Sequence, residues 1–300
     1  MDAFITALNA VIPTFILVAL GALADKRFPN LHLETLSRLS VYFLIPALIF
    51  SALARTDLTL NSALLLSGAY VLYLLVLGAT ALLGSRGLSR EKRGGLIIAT
   101  LFGNTGNMGL PITLFAYGQA GFERAVVLLV ISLTIMFIVG PAVLANQGGR
   151  LRERLKDALK LPPIWATLAG ISINFLPSGL PISLDRGIEL LGNAAIPVML
   201  LSLGIQMRRG WVWEIGPAAL RATLLRLVVG PFIAYGVARV LGLEALDTKV
   251  LVLSAAMPTA VTMFVVAVEV GGDYQGLARS VVMTTIGSLA AIMVVLFFFP

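Results

Sequence analysis

The chain has 300 residues, 58% of them apolar and only 12% charged, with a mean hydropathy of +0.96 and a formal charge of +7. A soluble domain covers its surface with about 25% charged residues, so most of this surface must face something other than water, which excludes a water-soluble enzyme or nucleic-acid-binding domain. With no cysteine in the chain, disulfides and thiolate metal sites are excluded as well.

Apolar runs of about 20 residues read as helices crossing a hydrocarbon core about 30 Å thick. The first, Ala3–Ala24, follows an N-terminus without basic residues, so no cleavable leader is expected. His32, the single histidine, sits in the polar loop that follows and reads as solvated. Thr35–Ala54, Leu60–Gly84, Gly95–Tyr117 and Ala125–Ala145 come next. The stretch Arg150–Lys160 alternates charge with leucine and reads as a solvated linker, with a short amphipathic surface helix as the other reading. Beyond it lie Leu161–Leu176, bracketed by Pro162 and Pro177, then Ile188–Met207, Val212–Val240, Val250–Val270 and Leu277–Phe299. Trp211 and Trp213, beside Arg208 and Arg209, read as an interfacial aromatic belt. The sum is ten spans in an all-α polytopic membrane protein.

Lysines and arginines set the orientation. The loops after odd-numbered spans hold Lys26, Arg27, Arg86, Arg90, Lys92, Arg93, Arg150, Arg152, Arg154, Lys156, Lys160, Arg208, Arg209 and Arg279. The even loops hold Arg55, Arg124, Arg186, Arg239 and Lys249. Fourteen against five predicts cytoplasmic odd loops and both termini outside the plasma membrane (the inner membrane of a prokaryote).

The second span reads Ile45-Pro46-Ala-Leu-Ile-Phe-Ser51 and the seventh Ile196-Pro197-Val-Met-Leu-Leu-Ser202, the same I-P-x4-S pattern half a chain apart. Pro13-Thr14 has a looser counterpart in Pro163-Ile164. Five spans per half force the second copy upside down, an inverted repeat. The expected organisation is a first repeat over 1–148, a cytoplasmic linker over 149–160 and a second repeat over 161–300.

The fourth span carries Gly103-Asn104-Thr105-Gly106-Asn107-Met108-Gly109-Leu110-Pro111. Glycine costs about 1 kcal/mol and proline about 3 kcal/mol inside a helix, so this segment is predicted to unwind. Backbone freed in lipid must line a protein or water-filled cavity. A plain proline kink with close helix packing explains the glycines but not the two added asparagines and Thr105. The repeat predicts a partner break in the ninth span, at Met257-Pro258-Thr259 with Thr262 following. Two broken helices crossing would bring their half-helix ends together: the N-terminal ends suit a carboxylate, the C-terminal ends a cation. Asn104, Thr105, Asn107, Thr259 and Thr262 are candidate substrate ligands, with Ser51 facing the same cavity from the second span. Gly103, Gly106, Gly109, Pro111, Met257 and Pro258 form the crossing. Arg226, in the middle of the eighth span, either attracts an anion or braces a break at Gly230-Pro231; Arg221 snorkels toward the cytoplasmic face. Glu189, Glu214 and Glu269 fall near span ends, so no mid-membrane carboxylate relay is expected.

The segments GNTGNMGLP (Gly103–Pro111), NAVIPTFILVALG (Asn9–Gly21), FLIPALIFSAL (Phe43–Leu53) and RLVVGP (Arg226–Pro231) resemble the auxin efflux carrier family, which includes plant PIN carriers and bacterial permeases associated with malate or malonate. The resemblance spans essentially the whole chain. It implies two inverted repeats of the sodium/bile-acid symporter type, a scaffold of helices 1, 2, 6 and 7, and a transport domain of helices 3–5 and 8–10. Helices four and nine cross, the scaffold forms a homodimer, and substrate moves by an elevator motion. Asn104 matches the family's fourth-helix asparagine and Pro111 its motif proline. The plant carriers have their ninth-helix proline near Thr262, whereas here it is Pro258. The short linker fits a prokaryotic member.

The expected function is a secondary transporter of small organic anions, with a channel or solute receptor on the same fold as the alternative. An intramembrane enzyme would need a nucleophile–base pair or twin aspartates in the spans, and neither is there. No metal, cofactor or nucleic-acid partner is expected; the coupling ion, Na⁺ or H⁺, stays open.

Overall fold

In the computed structural model, residues 2–144, 156, 159–176, 179–210 and 214–300 are described. Most of the Arg150–Lys160 linker, and both Trp211 and Trp213, lie outside them. Among the described residues the chain is almost entirely helical, without a strand beyond one isolated bridge.

Helix α1 (Asp2–Arg27) is followed by α2 (Leu33–Leu39) and α3 (Ile45–Ala54), joined by a π turn at Ser40–Leu44. Next come α4 (Leu60–Gly84), α5 (Arg90–Leu101), a π turn at Thr105–Gly109 and α6 (Leu110–Leu144). After the linker stand α7 (Pro162–Asn174), α8 (Ile182–Arg209) and α9 (Pro217–Leu224), which runs through a π turn at Leu225–Val229 into α10 (Gly230–Val240). The chain ends with α11 (Ala245–Ala255), α12 (Val261–Val270) and α13 (Tyr274–Phe298).

Each π turn is followed one residue later by a proline: Pro46, Pro111 and Pro231. In each, the residue before the proline donates its N–H five residues back, Ile45 to Ser40, Leu110 to Thr105 and Gly230 to Leu225. Proline lacks an N–H and its ring collides with the carbonyl four residues earlier. Widening the turn by one residue moves that carbonyl aside and keeps the helix going. The eighth span is therefore bulged at Gly230-Pro231 and not broken there, and Arg226 is not needed to brace it.

Among the described residues, seven helical segments are long and apolar enough to cross a membrane: Ala7–Arg27, Leu33–Ala54, Leu60–Gly84, Thr105–Leu144, Ile182–Arg209, Pro217–Val240 and Tyr274–Phe298. The 12, 11 and 10 residues of α5, α11 and α12 each reach at most about 18 Å, short of the hydrocarbon core. Within α6 the chain bends at Gly118, whose φ of 66° and ψ of −164° suit only glycine; the 35-residue helix is two helices meeting at an angle. The predicted seventh span starts earlier than Ile188, at Ile182, because Asp185 and Glu189 sit on its first turns and pair with Arg55. Those two hydrogen bonds, Glu189 first, hold the Arg55 guanidinium further toward its charged form.

The exterior is apolar: Leu75, Leu190, Phe232 and Val240 are each more than 65% exposed. Thr14, Ser132, Ser202, Arg226, Thr259 and Ser288 are buried. This inside-out distribution is what hydrocarbon as solvent selects. Helix α1 packs along α8, and α3 along α7 and α8. A second group gathers around α5, which touches α4, α6, α9 and α13, with α11 against α6 and α10 and α12 against α13. The groups meet where α1 touches α6 and α13.

Lipid supplies no hydrophobic force between helices, so close packing of small residues must hold them. A Cβ on Gly204 would overlap Val18 O and lie 2.8 Å from Ala22 N; one on Gly21 would lie 2.8 Å from the Leu201 carbonyl carbon. Gly204→Ala is expected to force α1 and α8 apart, at a cost of about 1–3 kcal/mol or more. Size-exclusion profiles and thermal melts in detergent test this; a wild-type Tm would show the contact to be slack.

Polar contacts between chain ends form two separate sets. One joins Asp25 to Arg208 and Arg209 (2.6 and 2.8 Å), Arg209 to the carbonyl of Leu31, Arg221 to the carbonyls of Gly84 and Arg86, and Arg279 to Glu214. The other joins Arg55 to Asp185 and Glu189, Thr56 to Glu123 (2.6 Å), Asn174 to the carbonyls of Ala54 and Thr56, Arg124 to Asp247 and Tyr117 to the carbonyl of Phe299.

Candidate functional site: the helix crossing and its cavity

Helix α5 stops at Leu101 and α11 at Ala255. The segments that follow, Phe102–Asn104 and Ala256–Ala260, run antiparallel past one another, paired at Gly103 and Thr259. Asn104 N donates to Pro258 O (2.6 Å) and Ala260 N to Phe102 O (2.9 Å). The crossing thus satisfies backbone groups that unwinding would otherwise leave bare in lipid. Thr259 fixes it laterally: its hydroxyl donates to Ala99 O (2.8 Å), and its N–H donates to the Thr284 hydroxyl (3.0 Å).

Past the crossing the chain resumes helical structure twice, at Thr105 and at Val261. Asn104 caps the first start, its Oδ1 accepting from Asn107 N (3.2 Å) and its carbonyl from Met108 N and Gly109 N. Pro111 follows the π turn, which moves aside the carbonyl its ring would otherwise strike. The N–H groups of Gly106, Val261 and Thr262 have no acceptor among the described residues. They are first-turn donors of the kind that bind anions.

These donors face a cavity of about 650 Å³, within the 300–1,000 Å³ typical of small-molecule sites. Its polar end is formed by Asn104, Thr105, Asn107 and Thr262, its walls by apolar side chains such as Leu133, Met136, Phe137, Met199, Phe264 and Val282. The Asn104 and Asn107 amide nitrogens and the Thr105 and Thr262 hydroxyls donate to no protein acceptor among the described residues. The cavity extends to Glu34, Arg209 and Gly210, which are exposed. Among the described residues, none of the Arg55–Asp185–Glu189 or Arg124–Asp247 clusters lines it, and its exposed lining residues lie at the end that holds Asp25 and Arg208.

The structure brings Asn104, Thr105, Asn107 and Thr262 together on this cavity, along with Gly103 and Gly106. Thr259 and Ser51 do not line it. Thr259 is fully buried in the crossing, and the Ser51 hydroxyl is buried in α3 without a partner. Gly109 and Met257 pack against each other, a Cβ on Gly109 lying 3.5 Å from Met257 Cγ. Pro258 supplies the carbonyl for Asn104. Sequence reasoning missed Ser132, Ser202 and Thr285, which also line the cavity. Ser202 was within reach as the partner of Ser51 in the I-P-x4-S repeat, and its hydroxyl is likewise buried without a partner.

Arg226 lies behind the crossing and is fully buried. Nε donates to Met257 O (2.9 Å), Nη1 to Thr100 O (3.1 Å), Leu101 O (3.0 Å) and the Tyr73 hydroxyl (3.3 Å), and Nη2 to Ser254 O (3.1 Å). These carbonyls belong to the C-terminal ends of α5 and α11 and to the break after α11, where partial negative charge collects. Arg226 therefore binds the negative ends, while the positive ends beyond the crossing are left to the cavity. It does not line the cavity.

The model of a family described as membrane transport protein matches residues 6–297. A relative from Methanothermobacter thermautotrophicus, described as an uncharacterized transporter, is 31% identical over 297 residues, covering 97% of this chain and 95% of its own. A second uncharacterized transporter, from Methanocaldococcus jannaschii, is 27% identical, with 97% and 96% covered. A protein of Rhizobium meliloti described as "putative malonate transporter" is 28% identical, with 94% and 92% covered. With nearly the full length matched and a crossing built on the GNTGNMGLP segment, the chain is a multi-pass membrane protein belonging to the membrane transport protein family, that of the auxin efflux carriers.

Proposed function

We propose that this protein is a secondary carrier of small organic anions, in particular of a single carboxylate on an apolar body. The observation that carries the reading is the division of helix ends at the crossing: two N-terminal ends, with Asn104, Thr105, Asn107 and Thr262, meet at one polar pole of a cavity whose other walls are mainly apolar, with the hydroxyls of Ser132, Ser202 and Thr285 among them. A carboxylate gains charge-assisted hydrogen bonds at that pole, and an apolar group gains contact with Met136, Phe137 and Phe264. The description of the Rhizobium relative points to malonate, but a second carboxylate needs a second pole, and the guanidinium that lines the cavity, Arg209 at the mouth, is bound to Asp25.

The carrier reading brings with it ten passes in two inverted five-helix repeats. The two sets of end contacts support it, since every pair joins residues on the side of the odd loops to one another or residues on the side of the even loops to one another. Grouping of α1–α3, α7 and α8 apart from the remaining helices supports a scaffold and a moving transport domain, working as an elevator. With the basic odd loops cytoplasmic, the cavity opens inward and both termini lie outside. Homodimer formation through the scaffold belongs to the same proposal.

A thermal-shift screen of purified protein tests it. Aryl- and alkyl-acetates are expected to raise Tm saturably, with malonate and malate weaker and the corresponding neutral amides inert. Equal stabilisation by the amides, or by no carboxylate at all, would remove the anion pole.

A further inference from the structure

In carriers with interrupted helices, half-helix C-terminal ends and loosened carbonyls are the groups that coordinate a coupling cation. Here the carbonyls of Thr100, Leu101, Ser254 and Met257, with the Tyr73 hydroxyl, already converge on one guanidinium. We propose that Arg226 stands in for the coupling cation: it fills the place at which Na⁺ would be held, and the carrier works without Na⁺.

Three features support this. The partners of Arg226 are all neutral oxygens and include no carboxylate, so the group is a ligand set for a single positive charge and not an ion pair. The backbone is shaped around the guanidinium, since a Cβ on Gly103 would lie 2.7 Å from Arg226 Cζ. A guanidinium is also tethered by its own chain, so the cationic group at this position cannot exchange with solvent during a transport cycle. An ammonium on a shorter reach lacks the planar fork that serves carbonyls from two helices at once.

The inference concerns the cation and rests on the carrier reading only for what is moved, so its test uses Na⁺ alone. Purified protein is melted in choline chloride and in NaCl at equal ionic strength, as wild type and as Arg226→Ser. Wild type is expected to show no saturable Na⁺-dependent change in Tm. Arg226→Ser, which leaves the same carbonyls facing a gap, is expected to melt lower in choline and to recover by about 2–4 °C or more as Na⁺ saturates. A saturable Na⁺ stabilisation of wild type overturns the proposal, as does a folded Arg226→Ser that is indifferent to Na⁺. Should Arg226→Ser fail to fold, the wild-type melt still decides. Once a carried carboxylate is identified, replacing Na⁺ by choline should change its uptake by less than about twofold, against the 5–150-fold usual for coupled sites. Uptake that collapses in choline refutes the cation role while leaving the anion carrier intact.

Discussion

Gly103→Ala is expected to leave almost no correctly folded protein, although it adds one methyl group. The new Cβ would overlap Arg226 Nη2 and sit 2.7 Å from Cζ, and the guanidinium has nowhere to go. It is held by carbonyls on α5, on α11 and after α11, and by Tyr73 from α4. Either the crossing at Gly103 and Thr259 opens, or Arg226 leaves and its buried acceptors go unpaired. Breaking a buried charge network by removing one side costs about 3–5 kcal/mol, a large part of the total stability of most chains. Yield, size-exclusion profile and Tm in detergent read this out. Gly68→Ala is the matched control, because no heavy atom lies within 4 Å of a Cβ there. A double variant with Arg226→Leu should be little worse than Arg226→Leu alone, since both changes remove the same network. A Gly103→Ala protein with wild-type Tm would mean that the crossing is not built around the arginine.

Asn104→Ala is expected to lower carboxylate binding and uptake about 10- to 150-fold, the range for one hydrogen bond to a charged group. It also removes the Oδ1 cap on Asn107 N, a stability loss of about 1 kcal/mol. Asn104→Asp separates the two effects. It keeps an oxygen where the cap needs one, but replaces the amide donor with a negative charge at the anion pole. Asn104→Asp should therefore melt close to wild type and bind carboxylates still more weakly than Asn104→Ala. Undiminished uptake by either variant would move the substrate away from the crossing.

Where the helices run was legible from local chemistry, because lipid demands long apolar runs with satisfied backbones. Leu60–Gly84 is helical over the predicted residues, and the fourth and ninth spans part at the glycines, asparagines and Pro258 that cannot continue a helix. Charged residues on helix ends were harder. Asp185 reads as a loop residue and Glu189 as a span end until Arg55, 130 and 134 positions away, is seen to meet them. Hydroxyls were harder still: Thr259 and Thr262 look alike in sequence, but one turns into the crossing and the other toward the cavity.

Composition, basic loops and one glycine–asparagine segment were enough to point to a membrane transporter whose fourth and ninth spans are interrupted. Arg226 could not be assigned in that way. Its role depends on oxygens from residues 73, 100, 101, 254 and 257, segments whose meeting no local pattern encodes. Only the folded chain decides which helix ends an arginine occupies and which are left open to a substrate, because electrostatic pairing acts through space and periodicity acts along the chain.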